Sequence, residues 1–155
     1  MLKSTILAVQ EMMDQQRVLS LAVLAEGVPY AGLLPFAVLP GHSGVLIHAS
    51  RMARHSLGLA DGSRVGVLLH EQDSLEKDPL QLKRVTFECV VRPLERKSDA
   101  WVEARGWYLA RFPDSRITFN LGDFTLYRLE FQHGLYVAGF GRAMEISPGD
   151  IRKLS

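Results

Sequence analysis

Between Arg84 and Arg92 the sequence alternates. Val85, Phe87, Cys89 and Val91 are apolar, and Arg84, Thr86, Glu88 and Arg92 are set among them. A repeat of two residues belongs to an extended strand, whose side chains point in turn to opposite faces. The segment therefore requires a sheet with one face against a core. It also pins the register, because a one-residue slip would turn every apolar side chain outward.

Other short runs agree with a sheet. Arg17 to Ala25 is almost continuously apolar with β-branched members and reads as a strand. Glu26-Gly27 is a tight turn, and Val28 to Val38 is the returning strand. Pro35 lies inside that strand, so it must bend, bulge or sit at an edge there. Pro40 to Gly44 is a second turn and leads to Gly44-Val45-Leu46-Ile47-His48. Arg64 to His70 is a further strand, and the charged stretch from Glu71 to Leu80 is a loop. Phe124 to Phe131 reads as a strand, Gln132-His133-Gly134 as a turn, and Leu135 to Phe140 as the last strand.

Helical spacing is rarer. Ile6, Leu7, Val9, Gln10 and Met13 form a stripe behind Ser4 or Thr5 as cap. Ser50 is expected to cap a helix to about Ala60, with Gly62 as its stop. Ser98 caps another, carrying Trp101, Ala104, Tyr108, Leu109 and Phe112 and closed by Pro113. Strands outnumber helices too far for a doubly wound parallel sheet. The fold class is mainly β: a small antiparallel barrel of about six to seven strands, with helices packed outside, in one domain over residues 1–155.

Composition narrows the function. The net charge of +1 spreads over scattered cations, which argues against nucleic-acid binding. The one cysteine, Cys89, forms no internal disulfide and suits a reducing compartment. No apolar run approaches the roughly 20 residues of a membrane span. Glu11 and Asp14 come too early for a signal peptide, so a cytoplasmic protein without membrane association is expected. No pair of histidines has the spacing of a metal site, and no metal is expected.

The stretch Ser50-Arg51-Met52-Ala53-Arg54-His55 carries the chemistry. A strand feeding a helix whose first turn holds a hydroxyl and two guanidiniums suits a phosphate ester. Free N–H groups at a helix start attract anions, and Arg51 and Arg54 would add charge-assisted bonds. His55, at i+4 from Arg51, is either a further donor or a surface histidine.

On Val28 to Ala37, Ile47 to His55, Tyr108 to Pro113 and Gly139 to Ala143, the chain resembles the FMN-binding split-barrel superfamily, of which pyridoxamine 5'-phosphate oxidase is the best-known type. Within it the haem-utilisation branch is the nearest match. The resemblance implies a homodimer with flavin mononucleotide in clefts between subunits, a small-molecule substrate and oxidoreductase chemistry. It implies that Tyr30, Leu33, Leu34, Pro35 and Phe36 lie along the flavin ring. It also implies that Ser50 and Arg51, helped by Arg54, hold the phosphate.

Two departures matter. Tyr30 and Phe36 stand where the oxidase has cationic residues, and Met52 replaces a lysine. Pyridoxamine phosphate oxidation is therefore not expected. The haem branch often carries a C-terminal haem-ligating histidine, and none follows Ile146-Ser147-Pro148 before Ser155. That is an expectation against haem breakdown.

The remaining candidates have two readings each. Arg84 reaches the flavin's pyrimidine edge or is a rim charge. His48 is a cleft residue or a structural histidine. Arg142 projects into the cleft or forms an ion pair. Trp101, Trp107 and Tyr108 are expected to be buried, and Cys89 to be a small core hydrophobe. No general base or nucleophile stands out. The rival to flavin is haem, with His48, His55 or His133 as axial ligand. A third reading is a partner-binding dimer with a degenerate pocket.

Overall fold

The alternating segment becomes a long central strand. The computed structural model describes residues 2–139 and 141–152. The strands are β1 (Val18–Ala25), β2 (Val28–Pro35), β3 (Ala37–Val38), β4 (Gly44–Ser50), β5 (Arg64–His70), β6 (Arg84–Pro93), β7 (Phe124–Val137) and β8 (Ala143–Ile146). The helices are α1 (Leu2–Gln15), α2 (Asp99–Arg111), α3 (Arg116–Phe119) and α4 (Pro148–Arg152). All pairings are antiparallel, in the order β2-β1-β5-β6-β7-β4-β3, with β8 on the free part of β7. The eight strands exceed the six or seven expected because Phe36 separates β2 from β3 and because β8 is a short strand of its own.

The sheet curls so that one face closes on itself. Leu19, Leu21 and Val23 of β1, Val65 and Val67 of β5, and Val85, Phe87, Cys89 and Val91 of β6 are buried together. Ile47 and Leu129 complete this interior. The rings of Phe87 and Phe131 stack at 3.7 Å. Ile6, Val9, Met12 and Met13 of α1 and Ile151 of α4 close one end of the barrel. Burial of this many aliphatic groups is the main source of stability.

On the outer face of β3, β4 and β7, Leu46 and Leu126 meet Ala104 and Tyr108 of α2 and Phe119 of α3 in a second, smaller core. Ser98 caps α2 by accepting from the Trp101 N–H at 3.2 Å. Tyr108 is buried in this layer as expected, but Trp101 and Trp107 are only half-buried. Cys89 lies in the main core, and burial pushes its thiol pKa up, so it is inert.

Several expectations need correction. α1 begins at Leu2, so Ser4 and Thr5 lie within the helix rather than capping it. No α-helix follows Ser50: β4 runs through that residue, and a turn leads to a 3-10 segment at Arg54–Gly58. Gln132-His133-Gly134 is not a turn. β7 runs unbroken to Val137, and the register step from Glu88↔His133 to Cys89↔Phe131 leaves Gln132 as an extra residue. The expected last strand from Leu135 is the end of β7, and Phe140 falls outside the described residues. Among the described residues no helix is long and apolar enough to cross a membrane.

Candidate functional site

Two surfaces compete for the site. The first is where β2 meets the Arg54–Gly58 turn. Pairing with β1 puts Tyr30 and Gly32 on the face that carries Val23 and Leu21, and Leu33 and Ala31 on the opposite face. The Arg54 guanidinium lies 5.9 Å from the Tyr30 ring centre. A Cβ at Gly32 would come 3.3 Å from His55 Nδ1. Burial lowers the His55 pKa, and its Nε2 is buried without a hydrogen-bond partner. Tyr30, Arg54 and His55 are thus brought together beside β2.

Ser50 and Arg51 stand next to this group but are engaged with the chain itself. The Ser50 hydroxyl donates to Asp123 Oδ2 at 2.8 Å and accepts from the Met52 N–H at 3.0 Å. Arg51 donates from its guanidinium to the Gly122 carbonyl at 2.7 Å and from its backbone N–H to the Asp123 carbonyl at 2.7 Å. The anticipated helix N-terminus for a phosphate does not exist here, and a carboxylate already sits against the hydroxyl. Sequence reasoning missed Asp123, which lies 73 residues away and has no local signal.

The other candidates are dispersed. Leu34 and Phe36 are buried in the core, while Leu33 and Pro35 are exposed. Arg84 begins β6, opposite His70 and Val137, and donates to the Leu82 carbonyl at 3.2 Å. Ser50 pairs with Phe124, at the far end of β7 from Val137. Within one chain the sheet therefore holds Arg84 apart from Ser50 and Arg51.

His48 sits under α2 and α3. Its ring stacks on Phe119 at 3.8 Å with an interplanar angle of 10°, and Tyr108 meets it edge-on at 5.8 Å. Thr118 Oγ1 donates its one hydrogen to the Ser115 carbonyl at 2.8 Å, so it accepts from His48 Nδ1 at 3.3 Å. Burial, with Arg96 adding to it, lowers the His48 pKa to about 4. His48 is a neutral, packed imidazole.

The second surface is the outer face of β2, β1, β5 and β6. The register aligns Ala31, Ala22, Gly66, Glu88 and His133 in one row. The next row is Leu33, Ser20, Leu68, Thr86 and Leu135. No described helix packs on these rows, and Leu33 is 69% and Leu24 62% exposed. A groove of about 380 Å³ runs over Ala22, Leu24, Pro29, Arg64, Gly66 and Glu88. His133 stands at the end of its row with Nε2 3.7 Å from Glu145 Oε1. The sequence had offered His133 as an axial ligand but gave no role to Glu88, which strand register places directly across from it.

Comparison with known proteins locates the chain. No model of a protein family matches the sequence. Haem oxygenase HutZ of Vibrio cholerae is 30% identical over 145 residues, covering 92% of this chain and 81% of that protein. The crystal structure of HutZ, described there as a haem storage protein, superposes with a TM-score of 0.72 at 28% identity over 81% of this chain and 88% of that one. A haem-binding protein from Mycobacterium smegmatis gives a TM-score of 0.83 at 26% identity, matching 96% of this chain but only 60% of that one. A Clostridium acetobutylicum protein of the pyridoxinephosphate oxidase family has the same fold, with a TM-score of 0.72 at 11% identity over 96% of this chain and 98% of that one. The chain belongs to the HutZ family, on the split-barrel fold shared with the pyridoxamine 5'-phosphate oxidases.

Proposed function

We propose that this chain binds haem on its uncovered sheet face, with His133 as the iron ligand. The carrying observation is the likeness to HutZ along 92% of the chain, supported by the likeness to a second haem-binding protein. The residues present fit the group. Ala31, Ala22 and Gly66 keep the face low across adjacent strands, and at strand spacing four strands span about 14 Å, room for a planar macrocycle. Arg64 at the groove supplies a cation for a propionate. The Glu145 carboxylate stands at ion-pair distance from Nε2 of His133, 3.7 Å, and Nδ1 is left to ligate.

The other histidines fit less well. His48 is enclosed by Phe119 and Tyr108, and His55 has its Nε2 buried. Haem, once bound, supplies iron redox and oxygen chemistry; the protein contributes ligation, burial and charge. A second copy of the chain is the partner we infer for this face, because Leu24, Leu33 and Leu135 are exposed along it.

Titration of the full chain with haemin tests the reading. A saturating Soret band is expected, shifted or lost in His133→Ala and kept in His55→Ala. Absence of the band, or a band indifferent to His133→Ala, would remove His133 as ligand. Uptake of flavin mononucleotide in place of haem would return the assignment to a flavoprotein.

A further inference from the structure

A separate cavity of about 480 Å³ opens between the first turns of α1 and the β7–β8 hairpin. This is the size of a small-ligand site. Lys83, Arg142 and the Tyr136 side chain line it, with Ser4 and Thr5 of α1. Its apolar wall is Met144 with three alanines, Ala8, Ala138 and Ala143. It is distinct from the proposed haem face: Tyr136 and Val85 are paired on the buried side of the sheet.

Its charge is one-sided. Among the described residues no acidic side chain lines it, and neither Lys83 nor Arg142 makes an ion pair. Glu71 acts on this region but is already committed. It pairs with Lys77 Nζ at 2.7 Å and accepts the Lys83 backbone N–H at 3.1 Å. Burial holds the Tyr136 phenol above its ordinary pKa, Glu71 adds to this, and Arg142 opposes it. The phenol therefore stays protonated and able to donate. Two cations, of which Lys83 also feels the Glu71 carboxylate, together with a phenol and hydroxyls around an apolar wall match a ligand with a doubly charged head and a compact apolar body.

We propose that this cavity binds a small organic dianion, with Lys83 and Arg142 on the charged head and Met144 and the alanines against the apolar part. The test is calorimetric titration of the full chain with phenyl phosphate, phenylmalonate and inorganic phosphate. One-to-one binding of either phenyl compound is expected, and which of them binds identifies the head as phosphate or dicarboxylate. Affinity should fall by roughly tenfold or more in Lys83→Gln/Arg142→Gln, as loss of charge-assisted bonds requires. Haem titration should be unchanged in the double variant. The proposal is overturned if neither phenyl compound binds, if inorganic phosphate binds as tightly as they do, or if the double variant keeps its affinity.

Discussion

The guanidinium carbon of Arg111 lies 4.7 Å from the centre of the Phe36 ring, and its Nη1 donates to the Phe36 carbonyl at 3.1 Å. The two hydrogens of Nη2 are shared among the carbonyls of Met13 at 3.3 Å, Asp14 at 3.1 Å and Gln16. One side chain at the end of α2 thus ties down the end of α1 and the break between β2 and β3. Only a guanidinium offers enough donors in a plane. Arg111→Ala should destabilise the fold by about 3 kcal/mol, and Arg111→Lys should recover less than half of that. Urea denaturation of the three proteins checks it.

Ser50 has a structural task that needs no ligand. Its hydroxyl joins the end of β4 to Asp123 and holds the Met52 N–H. Ser50→Ala should cost about 1 kcal/mol in ligand-free protein, because Met52 is exposed and water can replace the lost bond there. Denaturation of wild type and variant without any added phosphate or cofactor measures this. An unchanged midpoint would mean that the hydroxyl matters only to a ligand.

What could be read in advance was local. The alternation from Val85 to Val91, the Ser98 cap and the two-residue turn at Glu26-Gly27 each depend on neighbouring residues, and each is where it was expected. Ser50 misled because a hydroxyl residue before Arg-Met-Ala looks like a helix start. Pairing of Ser50 with Phe124 keeps it in a strand, and no local pattern reports a partner so distant. Gly134 misled in the same way. It suggests a turn, but a Cβ there would lie 2.8 Å from the Phe87 ring and from Ile146, so the residue is small for packing. The site was legible as a set of residue types. Its division into a β2 side, an Arg84 end and an outer face was not, because strand order decides which of them can meet.

Gly58 makes the closest approach in the turn that underlies Tyr30 and His55. A Cβ there would lie 2.6 Å from Val23 Cβ and 2.9 Å from the Leu24 carbonyl. Both are fixed by pairing of β1 with β2, so neither yields cheaply. Gly58→Ala should cost about 2 to 3 kcal/mol through overpacking and push the turn away from β1. Loss of stability in denaturation, with changed amide shifts for Arg54 and His55, is the expected result. A neutral substitution would show that this contact is loose.

The packing of His48 sets a pH dependence with a definite sign. In the unfolded chain its pKa is near 6.5, and in the fold it is about 4. Between those values the unfolded state holds more protons, so stability rises with pH across the window. The stability is fully present above about pH 6.5 and falls progressively as pH drops toward 4, by on the order of 3 kcal/mol for a ring this well buried. His48→Phe keeps a ring on Phe119 and loses the titrating group. Its denaturation midpoint should therefore vary less between pH 7.5 and pH 4.5 than that of the wild type. The residual slope of that sign should include His55, whose pKa is also lowered by burial. If wild type and variant lose stability in parallel on acidification, the titrating group in this window is not His48.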